Sequence, residues 1–443
     1  MFSNKDLRKL IIPLVIEQLL AVTIGMADTV MVSSCGEAAV SGISLVDSIN
    51  FLLITLFSSL ATGGAVIASQ YIGRGDHKSA SLAAKQLFYA SLALSAVLGV
   101  IAVFFRKPVL NMVFGSIEAD VMAHAQIYFL LSAISYPFLA VYNAGAALFR
   151  SMGDSRTTML ISILMNTINI VGNAILIYGF QMAAAGAAAA SLVSRAVGAI
   201  IITVLLLNPR RIIFYDKLHK PEIHLSMLKS ILQIGVPNGL ENSIFQIGKI
   251  LVASIVSGFG TISITANAVA GNLASLQVIP GMALGMAMIT VVGQCIGAKD
   301  YEAVKKYTKK LMLITYGVVW AMTLLMLLFS KQLLSFYSLS EETTAMTMEV
   351  FIVHGICAVI VWPLAFALPN ALRAANDVRF TMIVSLLSMW IFRIGFSYIL
   401  AIYFNMGILG TWIAMCIDWF CRGACFVIRF ARGKWKNISF IDN

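Results

Sequence analysis

Twelve apolar runs alternate along the chain with short polar connections, at 10–33, 45–70, 86–105, 122–148, 157–178, 185–207, 231–257, 268–294, 311–330, 346–371, 380–402 and 408–430. About 20 residues of helix cross a hydrocarbon core, so each run predicts one transmembrane helix, the longer ones tilted or reaching past the bilayer. The runs are continuous and do not alternate, which selects helices over a β-barrel. The longest polar connection, 208–230, lies between the sixth and seventh runs. The pattern predicts an all-α integral membrane fold: two six-helix lobes, 1–207 and 231–443, joined by a cytoplasmic linker over 208–230.

The two halves also resemble each other. Pro13 and Glu17 recur as Pro237 and Glu241, a shift of 224, and Gln70 and Asp76 recur at the same shift as Gln294 and Asp300. The segment Arg150-Ser-Met-Gly-Asp-Ser-Arg resembles Arg373-Ala-Ala-Asn-Asp-Val-Arg at a shift of 223, and Gly186 matches Gly410 at 224. Six crossings is an even number, so both halves run the same way. That predicts a pseudo-two-fold axis along the membrane normal, a known transporter architecture in which two lobes rock about a shared cavity. A scaffold or a membrane-bound enzyme has no need of such duplication.

Composition narrows the class further. Hydrophobic residues make up 60% of the chain and charged residues 12%, against about a quarter charged in soluble domains; a water-soluble enzyme is excluded. The net charge of +11 would suit nucleic acid, but its distribution argues otherwise. With both termini inside, 24 of the 31 Lys and Arg fall in inner segments and 3 in outer ones, while Arg195, Lys249, Arg393 and Arg422 lie within spans. This is the positive-inside bias of a multi-pass protein of the cytoplasmic membrane, to which anionic lipids add attraction. No nucleic-acid partner is expected. Met1–Lys9 is basic, but the apolar run after it is too long for a cleavable signal. The six cysteines have no zinc or disulfide spacing and read as small apolar packers; no cofactor is expected.

Polar residues inside the spans carry the candidate chemistry. The first span holds Glu17 and Asp28, eleven residues and about three helical turns apart on one face. An ionisable group at membrane depth is expensive and faces the bundle interior. For Asp28 the apolar run on both sides favours that place; Glu17 fits either the interior or solvation at an interface. The fifth span presents Asn166, Asn169 and Asn173 on one face, and Ser191 stands in the sixth. These either tie helices together or join Asp28 as oxygen ligands of a small hard cation. In the second half, Glu241, Gln246 and His354 are the candidate coupling or substrate residues. His354 suits either proton carriage or an interior hydrogen bond. Lys249 is expected to neutralise Glu241 or Asp418, and Arg393 to pair with Asp418. Asp47 lies near a span end and is expected to be wet. Pro137, Pro280, Pro363 and Pro369 mark expected bends.

At Asp28-Thr-Val-Met-Val, Gln70-Tyr-Ile-Gly, Arg150-Ser-Met-Gly-Asp, Asn169-Ile-Val-Gly-Asn173 through Tyr178-Gly179, and Gly186-Ala-Ala-Ala-Ala-Ser191, the chain resembles the multidrug and toxic compound extrusion (MATE) family over nearly its whole length. The resemblance implies export of organic cations and amphipathic drugs in exchange for inward Na⁺ or H⁺. It gives Asp28 the place of the coupling aspartate, where Na⁺ would bind, with Asn169, Asn173 and Ser191 around it. There are departures. Many relatives have an aspartate where Asn173 stands, and acids of some relatives align here with Phe245 and Trp362. The C-terminal candidates therefore rest on their own residues. One rival is a lipid-linked-precursor flippase, which Arg195, Lys249 and Arg393 would suit. Another is an intramembrane enzyme, for which the sequence offers no paired-acid, HExxH or GxSxG motif. The expected partners are a small organic substrate and membrane lipids, with the chain acting as a monomer.

Overall fold

In a computed structural model the chain is built from helices, with no strand among the described residues. The structure describes residues 2–440 except 116, 117, 217, 219, 221 and 338, and the side chains of residues 23–29 also lie outside that description. The long helices are α1 (Asn4–Ser33), α2 (Glu37–Arg74), α3 (His77–Phe114), α4 (Ala119–Ser151), α5 (Ser155–Gly179), α6 (Ala183–Leu206), α7 (Leu225–Ser257), α8 (Thr261–Gly297), α9 (Tyr301–Leu328), α10 (Glu341–Ile360), α11 (Val378–Tyr403) and α12 (Gly407–Ala431). Among the described residues, α2 to α12 are each long and apolar enough to cross a membrane. The 30-residue α1 matches the first predicted span. The predicted all-helical membrane fold is therefore present.

The internal repeat is written again in the turns. The starts of α2 and α8, of α3 and α9, and of α6 and α12 are each related by the shift of 224 that relates Pro13 to Pro237. Gly36 and Gly260 precede α2 and α8 with φ of 94° and 88°, a conformation open chiefly to glycine. Gly153 (φ 81°) ends α4, and Asn376, its counterpart at the shift of 223, takes φ 66° at the matching place. Asp76 and Asp300 cap α3 and α9, accepting from the backbone amides of Ser79 at 3.0 Å and Ala303 at 2.9 Å. The Ser79 hydroxyl and amide hold the Asp76 carboxyl below its usual range. Both α5 and α11 end in a wide π-helical turn, Ala174–Gly179 and Tyr398–Tyr403. Glycines let the next helix press on these turns. A Cβ on Gly186 would lie 3.1 Å from Leu176, and one on Gly410 2.6 Å from the Ala401 amide nitrogen.

The prolines act unequally. Pro137 and Pro280 sit inside α4 and α8 without ending them. Pro363 opens a π turn, Pro363–Ala367, and Pro369 lies in the short helix Leu368–Ala374 that continues α10.

By packing, the chain divides into Met1–Gly239 and Leu240–Asn443, a boundary that falls within α7. In the first unit α4 is central, against α2, α3 and α6, while α1 packs on α5 and α5 on α6. Phe57, Phe129 and Tyr136 fill the core among α2, α3 and α4. The polar connection before α7 is tied to this unit. Gln86 donates to the Glu222 carbonyl at 2.7 Å, Tyr89 to that of Leu218 at 2.8 Å, and Tyr215 is buried with its ring 5.3 Å from Phe88. In the second unit α8 packs against α9 and α10. A cluster built on Val350, Trp362, Trp412 and Trp419 fills its core.

Candidate functional site

The first unit gathers buried amides on α5. Asn169 and Asn173 are buried one turn apart. Asn169 Nδ2 donates to Ser191 Oγ on α6 at 3.0 Å, and Asn173 Nδ2 reaches Asn169 Oδ1 at 3.5 Å. Asn166, by contrast, is half-buried and reaches Ser162 at 3.4 Å. The structure thus brings Asn169, Asn173 and Ser191 together as neutral oxygen-bearing groups, the hard-ligand chemistry a small cation prefers. Asp28 lies on α1, which packs on α5. Its side chain, and so its expected place beside the amides, falls outside the described residues. No group of three or more His, Cys, Asp or Glu sits together among the described residues.

Each unit also holds a buried acid–base pair in the same register. Glu17 on α1 meets Arg150 of α4 at 3.3 Å and accepts from Thr158 Oγ1 of α5 at 2.8 Å. Glu241 on α7 meets Arg373 at 2.7 Å and accepts from Ser385 Oγ of α11, also at 2.7 Å. Both acids are buried. Of the two places open to Glu17, the structure shows the interior: the carboxylate is desolvated, so it takes a guanidinium and a hydroxyl in place of water. Arg150 and Arg373, counted from the sequence as topology-setting bases, are the partners.

The expected partners of Lys249 are corrected by the same contacts. Glu241 is taken by Arg373, and Asp418 is held by Arg422 at 2.9 Å with Arg393 farther off at 4.0 Å. Lys249 instead lies over the Phe245 ring, 5.3 Å from its centre. The expected Arg393–Asp418 pair exists, but as the weaker of the two contacts to that acid. His354 is buried and its Nδ1 is 2.8 Å from Gln277 Oε1, while Gln277 donates to Thr323. Trp412 and Trp419 meet the imidazole edge-on at 5.7 and 5.3 Å. Glu241 and His354 therefore have separate sets of partners. Gln246 is half-buried on α7. Asp47 is exposed as expected, yet its carboxylate accepts from Tyr128 at 3.0 Å and Asn50 at 3.2 Å.

The helix order, the paired acids and the repeated turns describe a duplicated helical membrane protein. The MatE family model matches it twice, over residues 13–175 and 237–399. The chain belongs to the MatE family. The two matches are offset by the shift of 224 read from Pro13 and Pro237. MatE proteins are multi-pass membrane transporters and not enzymes. This MatE chain is 27% identical to "Uncharacterized transporter YisQ" of Bacillus subtilis, covering 96% of this chain and 93% of that one. It is 26% identical to "Probable multidrug resistance protein NorM" of Thermotoga maritima, covering 98% and 93%. A solved structure described as an outward-facing conformation of a multidrug resistance MATE family transporter matches with a TM-score of 0.89 at 20% identity, over 98% of this chain and 97% of that one. At that identity the likeness is one of fold, a helical transporter fold that the twelve runs predict.

Sequence reasoning missed Thr158, Ser385, Arg422 and the pairing role of Arg150 and Arg373. Two signals were available. Arg422 stands four residues after Asp418, one helical turn on the same face. Glu17 recurs as Glu241 at a shift of 224 and Arg150 as Arg373 at 223, and residues that recur as a pair across both copies fit a shared contact.

Proposed function

We propose that this MatE chain is a secondary antiporter of the cytoplasmic membrane that exports amphipathic organic compounds, organic cations among them, in exchange for inward Na⁺ or H⁺. The supporting observation is that the buried amides Asn169 and Asn173 on α5 and the half-buried Ser191 hydroxyl on α6 come together on two helices that touch α1, the helix that carries Asp28. Asp28 takes the ion and the amides lend oxygens. Ion and cargo then favour different arrangements of the lobes 1–207 and 231–443, since a ligand shifts a conformational equilibrium only by its differential affinity. For an uncharged cargo at one-to-one exchange, one charge moving inward down 100 mV supplies about 2.3 kcal/mol, enough to bias export more than tenfold; for a monovalent cationic cargo the same exchange is electroneutral, and the concentration gradient of the ion drives it. Both termini are cytoplasmic, the chain works as a monomer, and 208–230 links the lobes. Glu241 and His354, held by their own partners, act as positioning residues. Gln246 shares a helix face with Lys249 and is the candidate cargo contact. The name "probable multidrug resistance protein" borne by a relative of similar length supports an amphipathic cargo.

The test is Asp28→Asn in a drug-hypersensitive strain at matched expression. Resistance and ion-driven efflux fall if the reading is right; unchanged values of both refute it. Flipping of a lipid-linked precursor is a second reading, favoured by the bases of the second unit. It requires transport of an anionic lipid and gives no protection against drugs.

A further inference from the structure

The second unit collects positive charge that its own acids do not cancel. Three cations surround one ring: Lys249 Nζ lies 5.3 Å from the Phe245 centroid, and the guanidinium carbons of Arg393 and Arg422 lie 5.5 and 5.3 Å from it. Among the described residues, the carboxylate that meets any of the three is Asp418, at 2.9 Å from Arg422 and 4.0 Å from Arg393. Glu241, one turn before Phe245, is committed to Arg373. Among the described residues Lys249 makes no ion pair or hydrogen bond. Three bases against one acid leave a formal surplus of two positive charges.

The donors are also unfilled. Arg393 is 9% exposed, and its Nε and that of Arg422 are buried without a hydrogen-bond partner among the described residues. A buried unpartnered donor on a charged group costs free energy that an acceptor recovers. Beside these groups stands an aromatic wall. Phe366 meets Phe245 at 6.2 Å, Trp362 stacks on Phe366 at 5.3 Å, and Trp419 meets it edge-on at 5.4 Å. The buried Trp419 Nε1 has no hydrogen-bond partner among the described residues either. Guanidinium forks suit planar oxyanions, and flat rings suit an aromatic body.

We propose that Lys249, Arg393 and Arg422 form a binding site for an oxyanion, carboxylate or phosphate, carried on an aromatic or apolar body. The oxyanion completes the charge around Asp418 and accepts from the unpartnered guanidinium donors, while the half-buried rings of Phe245 and Phe366 hold the apolar part. Lys249, the exposed member, meets the ligand at the mouth of the site. Two sources share this chemistry, an acidic or zwitterionic cargo and the phosphate of an anionic lipid. The proposal goes beyond the antiport reading and does not depend on it, because binding is measured with no ion gradient.

The experiment is equilibrium binding to the full chain in phosphatidylcholine nanodiscs. The probes are 1-naphthoate, 1-naphthyl phosphate and the isosteric cation 1-naphthylmethylammonium. We expect one of the anions to bind at least tenfold tighter than the cation. Lys249→Gln loses that preference and Lys249→Arg keeps it. Arg393→Gln removes it too, with thermal melting used to confirm that the variant is folded. Addition of phosphatidylglycerol to the nanodiscs separates the sources: competition with the probe assigns the site to lipid headgroups, and no competition to a soluble cargo. A cation that binds as tightly as both anions overturns the proposal, as does a folded Lys249→Gln protein with unchanged anion affinity.

Discussion

The fifth and eleventh helices hold the same place in the repeat and carry opposite chemistry. At a shift of 224, Asn169 becomes Arg393 and Asn173 becomes Ser397. In the first unit Asn169 joins a neutral cluster of amide and hydroxyl beside the helix of Asp28. In the second, Arg393 joins two further bases around a phenyl ring, and Asp418 answers two of them incompletely. The Glu–Arg–hydroxyl pairs, the caps and the wide turns stay common to both. Duplication has kept what holds each bundle together and let the interiors diverge, with neutral oxygen-bearing groups in one and a surplus of bases in the other.

The common part breaks hardest. Removing Arg373 strands Glu241 without its counter-charge, and breaking a buried pair costs about 3–5 kcal/mol. Arg373→Met should lower the melting temperature of the purified protein sharply. Arg150→Met should lower it less, because its contact with Glu17 is longer, 3.3 against 2.7 Å, and its side chain is more open to solvent. Equal losses would mean that the two pairs do not differ as their geometry indicates.

The divergent part is tested by making one unit resemble the other. Asn169→Arg places a positive charge where the first unit has an amide. At about 4 Å and an effective dielectric of about 20, that opposes a bound cation by about 4 kcal/mol, roughly a thousandfold in occupancy. Ion-driven efflux should collapse while the protein stays folded. Retained coupling would separate the amide cluster from the ion path.

The smallest effects sharpen the comparison from below. Asp76→Ala and Asp300→Ala each remove a helix cap, at about 1 kcal/mol apiece, and thermal melting should report nearly equal losses. The Asp76 carboxyl is held below its usual range. Its contribution is therefore complete above the unfolded value of about 4 and is lost as pH falls through the lower folded value. The difference between Asp76→Ala and the unaltered chain should vanish in acid.

Much of this was legible in the sequence, and the limits are physical. The runs gave the helices because membrane depth admits few polar residues, and the repeat anchors gave the duplication. Asn169 and Asn173 were found as candidates because amides at that depth stand out, and the structure sets the Ser191 hydroxyl against Asn169. The partners of Glu17 and Glu241 were not, because Arg150 and Arg373 lie several spans away along the chain and sit at span ends, where a base also fits a topology signal. Lys249 was given an acidic partner on charge alone. The actual arrangement needed the side-chain positions, since Phe245 carries no charge to suggest that three cations converge on it.

The central claim is that the coupling cation is bound in the first unit. The direct measurement is substrate efflux from proteoliposomes with a Na⁺ gradient or a proton gradient imposed separately, comparing the unaltered chain with Asp28→Asn. The account predicts that one gradient drives efflux by the unaltered chain and that Asp28→Asn no longer responds to it. Gradient-driven efflux that survives Asp28→Asn would contradict it.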